Sequence, residues 1–307
     1  MSELYLSENV AIVTGAARGL GRSYALSLAA HGAAIVVNDL PGQGANEVVA
    51  EIEAAGGRAI AAEYDISDSG AAPLVVSDAI TEFGRLDVLI NNAGMLRNGR
   101  FDELSTDRIR DIFAVHLAGA FFVTQPAVQV MREAGYGRIV NVSSNTAFGM
   151  AGLVNYATAK AGVLGFTTSL AIEAAPYGIA VNSILPNGTS TIMDDDPIPG
   201  FEDDTRMAAA FKGVSHRFEP ERTAALVTFL ASQMCPVTGQ HFSSLGGRYA
   251  RVFYGITEGW LSPGPIASVS EVASHFDEIC DLTNVALIPS SITDEFHLVS
   301  EILAGHK

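Results

Sequence analysis

Tyr156 and Lys160 stand four residues apart in a segment that reads as a helix, so they share one face of it. A phenol has an ordinary pKa near ~10, and a neighbouring ammonium favours its ionised form. A tyrosine in such a pair exchanges a proton with an alcohol or carbonyl oxygen near neutral pH. The spacing is common on helices, and its weight comes from what precedes it. Thr14-Gly15-Ala16-Ala17-Arg18-Gly19-Leu20-Gly21 follows the apolar run Val10-Ala11-Ile12-Val13 and leads into a helical pattern from Arg22 to Ala30. This is the strand, glycine turn and helix start of a dinucleotide site. Gly15 permits the tight turn, and Gly19 and Gly21 let a pyrophosphate and the next strand approach the backbone. The helix N-terminus, with Leu20 in its first turn, offers amide donors and a favourable dipole.

Three further segments fit the same chemistry. Val36-Val37-Asn38-Asp39 is an apolar strand ending in an acid, at the distance expected for a ribose-binding carboxylate. Asp39 favours NAD over NADP because it repels a 2′-phosphate. Arg18 argues the other way, but an arginine beside an acid can pair with it, and Asp39 carries more weight. Asn91-Asn92-Ala93-Gly94 ends the buried-looking strand Leu86-Asp87-Val88-Leu89-Ile90 and leaves room for a flat adenine or ribose. Arg138-Ile139-Val140-Asn141-Val142-Ser143-Ser144 brings a hydroxyl pair to the C-terminal end of a strand, the edge where open α/β sheets bind ligands.

In their order and approximate spacing, these motifs resemble the short-chain dehydrogenase/reductase family over roughly residues 6–247. The resemblance implies that Tyr156 is the acid/base. Lys160 lowers its pKa and holds the nicotinamide ribose, and a serine hydroxyl polarises the substrate oxygen. It also implies cofactor contacts from Leu40 beside Asp39, from Asp65 and Ile66 after the third strand, from Asn92, Ala93 and Gly94, and from Pro186, Asn187 and Thr189. The family's usual spacing of thirteen residues before the tyrosine points to Ser143, whereas the register of the strand points to Ser144. Loops absorb deletions more readily than strands, so Ser144 is preferred, with Ser143 lining the nicotinamide side. His116 stands where most members have Asn, and acts through its ring, through its backbone, or only as a packing residue. Leu185-Pro186-Asn187-Gly188-Thr189 departs from the usual Pro-Gly.

Asn38-Asp39-Leu40, Val115-His116-Leu117, Tyr136-Gly137-Arg138-Ile139, Pro186-Asn187 and Gly246-Gly247-Arg248-Tyr249-Ala250-Arg251-Val252 resemble one branch of that family. It comprises the hydroxyacyl-CoA dehydrogenase unit of peroxisomal multifunctional enzyme type 2 and stand-alone actinobacterial relatives. The branch implies NAD-dependent oxidation of a 3-hydroxyacyl-CoA with a fatty or sterol side-chain acyl group. A free hydroxysteroid or terpene alcohol is the competing substrate, and a non-catalytic nucleotide-binding scaffold is the competing role outside enzymes.

The elements needed to position these residues alternate along the chain. Strands are expected near 9–14, 33–39, 57–64, 86–91, 137–143, 178–184 and 240–244. The helices fall at 19–31, 44–55, 68–83, 105–133, 154–175 and 218–233. Such alternation predicts an α/β fold, a Rossmann-type doubly wound parallel sheet of order 3-2-1-4-5-6-7. The chain reads as a single domain over 1–307, with a core over 6–247, a loop-like substrate lid over 188–216 and a C-terminal extension over 248–307. In the extension, Arg251–Ile256 alternates like a strand, and Ser270 and Thr293 are the expected helix starts. Its apolar side chains, Trp260, Phe276, Leu282 and Phe296 among them, require burial on the same subunit, on a partner, or around the substrate entrance.

Composition is compatible with this. The 307 residues are 48% hydrophobic, with a mean hydropathy of +0.26, as a sheet buried on both faces requires. The net charge of −16 argues against nucleic acid and anionic membrane surfaces as partners. A polyanionic CoA thioester would need a local basic patch, for which Lys212, His216, Arg217, Arg248 and Arg251 are candidates. Acids at 194–196 and 202–204 lie in the lid segment. Cys235 and Cys280 have no metal-ligand spacing, and no metal is expected. No uninterrupted apolar stretch is long enough to cross a bilayer. The start Met1-Ser2-Glu3-Leu4 lacks a secretory pattern, and His306-Lys307 is not a peroxisomal address. The expectation is a cytoplasmic homodimer or homotetramer acting on a small molecule.

Overall fold

Alternation along the first strand sets the architecture. In β1 (Val10–Thr14), Ala11 and Val13 enter one hydrophobic cluster while Val10 and Ile12 enter another, as the period-two geometry of a strand dictates. β2 (Ala34–Asp39) divides in the same way, with Ile35 and Val37 on one side and Ala34 and Val36 on the other. A sheet apolar on both faces must be covered by helices on both. The computed structural model describes residues 5–187, 198–200, 205–264 and 266–304.

In chain order, β1 leads to α1 (Gly19–Ala30), β2, α2 (Ala45–Ala54), β3 (Arg58–Glu63), α3 (Ala72–Phe83) and β4 (Val88–Asn91). There follow α4 (Thr106–Phe113), α5 (Ala120–Ala134), β5 (Gly137–Val142), α6 (Val154–Ala174) and β6 (Ile179–Pro186). Then come α7 (Thr205–Val214), α8 (Glu221–Ala231), β7 (His241–Leu245) and β8 (Arg248–Val252). The sheet order is β3-β2-β1-β4-β5-β6-β7-β8, and the pairings from β3 to β7 are parallel. The expected seven-strand order is borne out. The added eighth strand follows a hairpin at Gly246 and Gly247, whose φ values of 58° and 84° suit a two-residue turn. β1 lies between β2 and β4, so strand order reverses at its C-terminal end, where such sheets form a crevice.

Between α4 and α5 the helix passes through a π turn, Ala114–Gly119, and runs continuously from Thr106 to Ala134. That stretch is long and apolar enough to cross a membrane by composition, but Ile112, Val123, Ala127 and Met131 on its inner side are fully buried in the protein. The lid segment departs from its loop-like reading. Thr205–Val214 is the helix α7, and Ser215–Arg217 forms a single 3-10 turn. Thr189 and the acids at 194–196 and 202–204 lie outside the described residues.

The chain forms two compact units, Met1–Arg251 and Val252–Lys307. The second holds an antiparallel pair, β9 (Ile256–Thr257) with β10 (Val285–Leu287), and the helices α9 (Val269–Ser274), α10 (Phe276–Ile279) and α11 (Ile292–Leu303). Its helices start slightly earlier than Ser270 and Thr293 suggest. Ser268 with Glu271, and Ser291 with Asp294, form reciprocal capping boxes. Trp260 stacks on His275 at 4.2 Å. Leu282, Ile292 and Phe296 are 80%, 72% and 70% exposed, while Leu298 on α11 is buried.

Candidate active site

The C-terminal end of β5 and the first two turns of α6 bring together the two serines, Tyr156 and Lys160. Ser144 is buried, its Oγ accepts from the Thr146 amide at 3.2 Å, and its hydroxyl is near enough to the Tyr156 phenol to favour the ionised form. Ser143 is committed elsewhere, because its Oγ donates to the carbonyl of Lys160 at 2.7 Å. Lys160 is buried, and its Nζ donates to the Val142 carbonyl at 2.7 Å while standing 5.6 Å from the centre of the Tyr156 ring. Asn155 fixes the start of the helix. Its Oδ1 accepts from the Tyr156 amide at 2.9 Å and its Nδ2 donates to the Arg97 carbonyl at 2.9 Å. Sequence reasoning passed over Asn155, although an Asx residue at a helix start is a known signal of such local bonding.

Burial dominates the electrostatics. It pushes the Tyr156 phenol up to about 12, and the neighbouring Ser144 hydroxyl opposes the rise. Tyr156 as a whole stays half-buried, so the desolvation acts at its hydroxyl end. Burial also brings Lys160 down to about 7. The expectation that Lys160 depresses the Tyr156 pKa is not what this geometry displays, since the ammonium faces a backbone carbonyl and the phenol's main influence is desolvation.

His116 sits in the π turn with its ring edge-on to Tyr156, the centroids 5.1 Å apart. π turns recur at functional sites. Its Nε2 lies 2.8 Å from the Met95 carbonyl and 3.1 Å from the Met95 amide. Burial and then Lys160 push its pKa well below the ordinary value, so the ring is neutral. Its Nδ1 and the Oδ1 of Asn91 are buried and have no hydrogen-bond partner among the described residues. Both residues line, with Lys160, Thr14 and Asn141, a cavity of about 10 Å³, the lower bound of space for one water.

The glycine turn is held from the neighbouring strand. Asn92 donates through Nδ2 to the carbonyls of Thr14 and Gly15 at 2.9 and 3.0 Å, and Thr14 Oγ1 accepts from the amides of Asn92 and Ala93. Gly15 has a φ of 63°, and a β-carbon there would lie 2.7 Å from the Ala93 backbone. Asn92 and Ala93 therefore build the turn. Asp39 stands at the end of β2, its Oδ2 accepting from Ala17 N and its Oδ1 from Leu40 N, each at 2.9 Å. Each oxygen retains a lone pair. Arg18 is exposed at the N-cap of α1 and makes no ion pair with Asp39 among the described residues.

A nicotinamide dinucleotide fits these residues. The glycine turn and the α1 N-terminus would cradle its pyrophosphate, and the Asp39 carboxylate at the end of β2 would meet its ribose. Ile66 is buried against Gly119 beyond β3, while Asp65 and Leu40 are exposed, Asp65 accepting from Ser67. At β6, Pro186 is buried and the Asn187 amide donates to Ser244 at 2.9 Å. Thr189 lies outside the described residues.

Residues 9–198 match the short chain dehydrogenase family. The chain belongs to that family. Its members act as oxidoreductases on CH–OH groups with a nicotinamide cofactor. Mouse peroxisomal multifunctional enzyme type 2 is 34% identical over 98% of this chain, which spans 40% of that enzyme's length. The (2S)-[(R)-hydroxy(phenyl)methyl]succinyl-CoA dehydrogenase subunit BbsD of Thauera aromatica is 38% identical, over 79% of this chain and 97% of its own. The crystal structure of a short chain dehydrogenase from Mycobacterium avium superposes with a TM-score of 0.76 at 32% identity, covering 93% of this chain and 98% of that one.

Proposed function

We propose that this short-chain dehydrogenase is NAD-dependent and interconverts 3-hydroxyacyl-CoA and 3-oxoacyl-CoA thioesters. The observation that carries the chemistry is the convergence of the Ser144 hydroxyl at the end of β5 with Tyr156, one helical turn from the buried Lys160. Ser144 orients the substrate oxygen, and Tyr156 exchanges the proton with it. A phenol with a pKa of about 12 is protonated at neutral pH, ready to donate to a carbonyl oxygen. In the oxidative direction the Ser144 hydroxyl assists its ionisation. A bound nicotinamide cofactor supplies hydride exchange. Gly15, Gly19 and Gly21 would hold its pyrophosphate, Asp39 its ribose, and Lys160 and the Pro186-Asn187 segment its nicotinamide end, with Ser143 fixing the Lys160 backbone. The Asp39 carboxylate supports NAD over NADP.

Similarity to the mouse enzyme over almost the whole chain, and to a relative named for a CoA thioester, supports the substrate class. The exposed apolar side chains of the second unit, and of α5 and α6 (Phe121, Ile172), support a homo-oligomer. We place it in the cytoplasm. The decisive experiment offers purified protein and its Tyr156→Phe variant 3-hydroxyacyl-CoA thioesters beside the matching free alcohols, each with NAD and with NADP. The expected result is NADH formation from thioesters that Tyr156→Phe abolishes. Turnover confined to free alcohols refutes the thioester assignment, and undiminished turnover by Tyr156→Phe refutes the mechanism.

A further inference from the structure

The charge of this chain is unevenly distributed. Between Arg206 and Arg251 stand six of its 18 Lys and Arg residues but only two of its 34 acids, Glu219 and Glu221. The acids at 202–204, just before this stretch, lie outside the described residues.

Two of the six cations converge on the β7–β8 hairpin. At Gly247, the position a β-carbon would take lies 3.3 Å from Arg217 Nη2 and 3.6 Å from Arg222 Nη1. The two guanidinium groups are therefore within about 7 Å of each other, facing a spot that no side chain fills. Arg222 is braced from behind. Its Nε and Nη2 donate to the Glu219 carboxylate at 2.5 and 3.2 Å, leaving Nη1 toward the hairpin. Its carbonyl accepts from the Tyr249 hydroxyl at 2.5 Å. Arg217 and Arg248 are exposed, and neither has a carboxylate within ion-pair distance among the described residues. Guanidinium groups bind phosphate oxygens in pairs. Against a background of −16, this is the local exception that an anionic ligand requires.

Its place in the fold relates it to the site. β7 pairs with β6, which pairs with β5, and the hairpin leaves β7 at the same sheet edge where Ser144 leaves β5. Two strand spacings are ~10 Å. A pantetheine arm has about a dozen bonds from sulfur to phosphorus, the length of roughly four extended residues, or ~14 Å. With the C3 oxygen at Ser144 and Tyr156, the thioester sulfur lies three bonds further on, and the pantetheine arm then brings the diphosphate within reach of the hairpin.

We propose that Arg217 and Arg222, with Arg248 beside them on the Gly246–Gly247 hairpin, form the binding site for the nucleotide diphosphate of a CoA thioester. The proposal rests on the thioester reading above and adds to it the recognition of the carrier. Its test compares one 3-hydroxyacyl group on CoA with the same group on N-acetylcysteamine, which has the thioester but no phosphates. The proteins are the wild type, Arg217→Ala, Arg217→Glu and Arg248→Ala. In wild type, kcat/KM favours the CoA thioester, and added salt erodes that preference. In Arg217→Ala the preference falls about tenfold through KM, as expected for one charge-assisted contact, and in Arg217→Glu it falls further. Arg217 is exposed, so these variants should fold. Equal changes for both thioesters, or none, overturn the site while leaving the thioester reading intact. A wild type that prefers the acyl group on an acidic carrier protein, with CoA and N-acetylcysteamine alike, also overturns it. If neither small thioester is turned over, the reading on which the site depends falls with it.

Discussion

Lys160 offers the sharpest test of the site's electrostatics. It is 4% exposed, its Nζ donates to one backbone carbonyl, and burial lowers its pKa from 10.5 to about 7. A folded-state pKa below the unfolded value means that the unfolded chain binds more protons between the two. Stability should therefore rise with pH from about 7 toward about 10.5, and the cost of burying the charge is felt in full below that window. The slope from one such group approaches ~1.4 kcal/mol per pH unit. Lys160→Met removes the titration and keeps an unbranched side chain of similar reach. The assay is urea unfolding of both proteins, without added cofactor, at several pH values from about 8 to about 9.5. Other titrating groups are common to both, so the difference between wild type and variant isolates Lys160. That difference should move by ~2 kcal/mol in favour of wild type across the range. A flat difference would mean that Lys160 keeps its proton in the folded protein. The buried ammonium would then be the charge beside Tyr156, and the assignment of desolvation as the ruling influence would be wrong.

Two further outcomes follow from the hydrogen bonds. Ser144→Ala removes the hydroxyl beside Tyr156 and should lower kcat by about 10²-fold or more. Ser143→Ala loses the bond to the Lys160 carbonyl, and should cost chiefly stability, about 1 kcal/mol. Steady-state kinetics and urea unfolding of the pair decide the matter, and the reverse order would assign the polarising role to Ser143. Asp39→Ala removes the acceptor of both Ala17 N and Leu40 N together with the charge at the end of β2. KM for NAD should rise about tenfold, as for the loss of a charged hydrogen bond, and the preference over NADP should narrow. An unchanged NAD/NADP ratio would hand selectivity to Arg18 or another group.

The sheet was legible because its signal is strong and local. Runs such as Val10–Val13 and Val36–Val37 are buried on both faces, and each is followed by turn chemistry and a helix, which leaves few topologies. The eighth strand was harder, since Arg248–Val252 is an edge with mostly exposed side chains and no core pattern of its own. Thr205–Val214 read as lid because the acids before it dominate the local composition, whereas the helix itself carries Ala208, Ala209 and Ala210, good helix formers. The helix starts of the second unit were displaced for a related reason. Serine and threonine occur at several adjacent positions there, and only backbone geometry selects Ser268 and Ser291 as the caps.

The site itself was legible as a set of residue types but not as a set of contacts. Spacing alone left Ser143 and Ser144 level, because both lie at the end of one strand. What separates them is that one hydroxyl meets Tyr156 and the other a helix carbonyl on the far side of the backbone. His116 shows the same limit in stronger form. Read by position, it is an odd residue where Asn is usual, and Gly94 is a turn glycine. In the fold they are one feature. A β-carbon on Gly94 would lie 2.5 Å from His116 Cε1, so the glycine provides the space into which the imidazole fits. Met95, the next residue, then meets Nε2 with both its amide and its carbonyl. Either neutral tautomer is thereby satisfied at Nε2, and Nδ1 is left to face the cavity that Lys160 also lines. No periodicity encodes this arrangement. It depends on a loop after β4 and a π turn in the following helix meeting at one point, a contact between residues about twenty apart that only the folded chain creates.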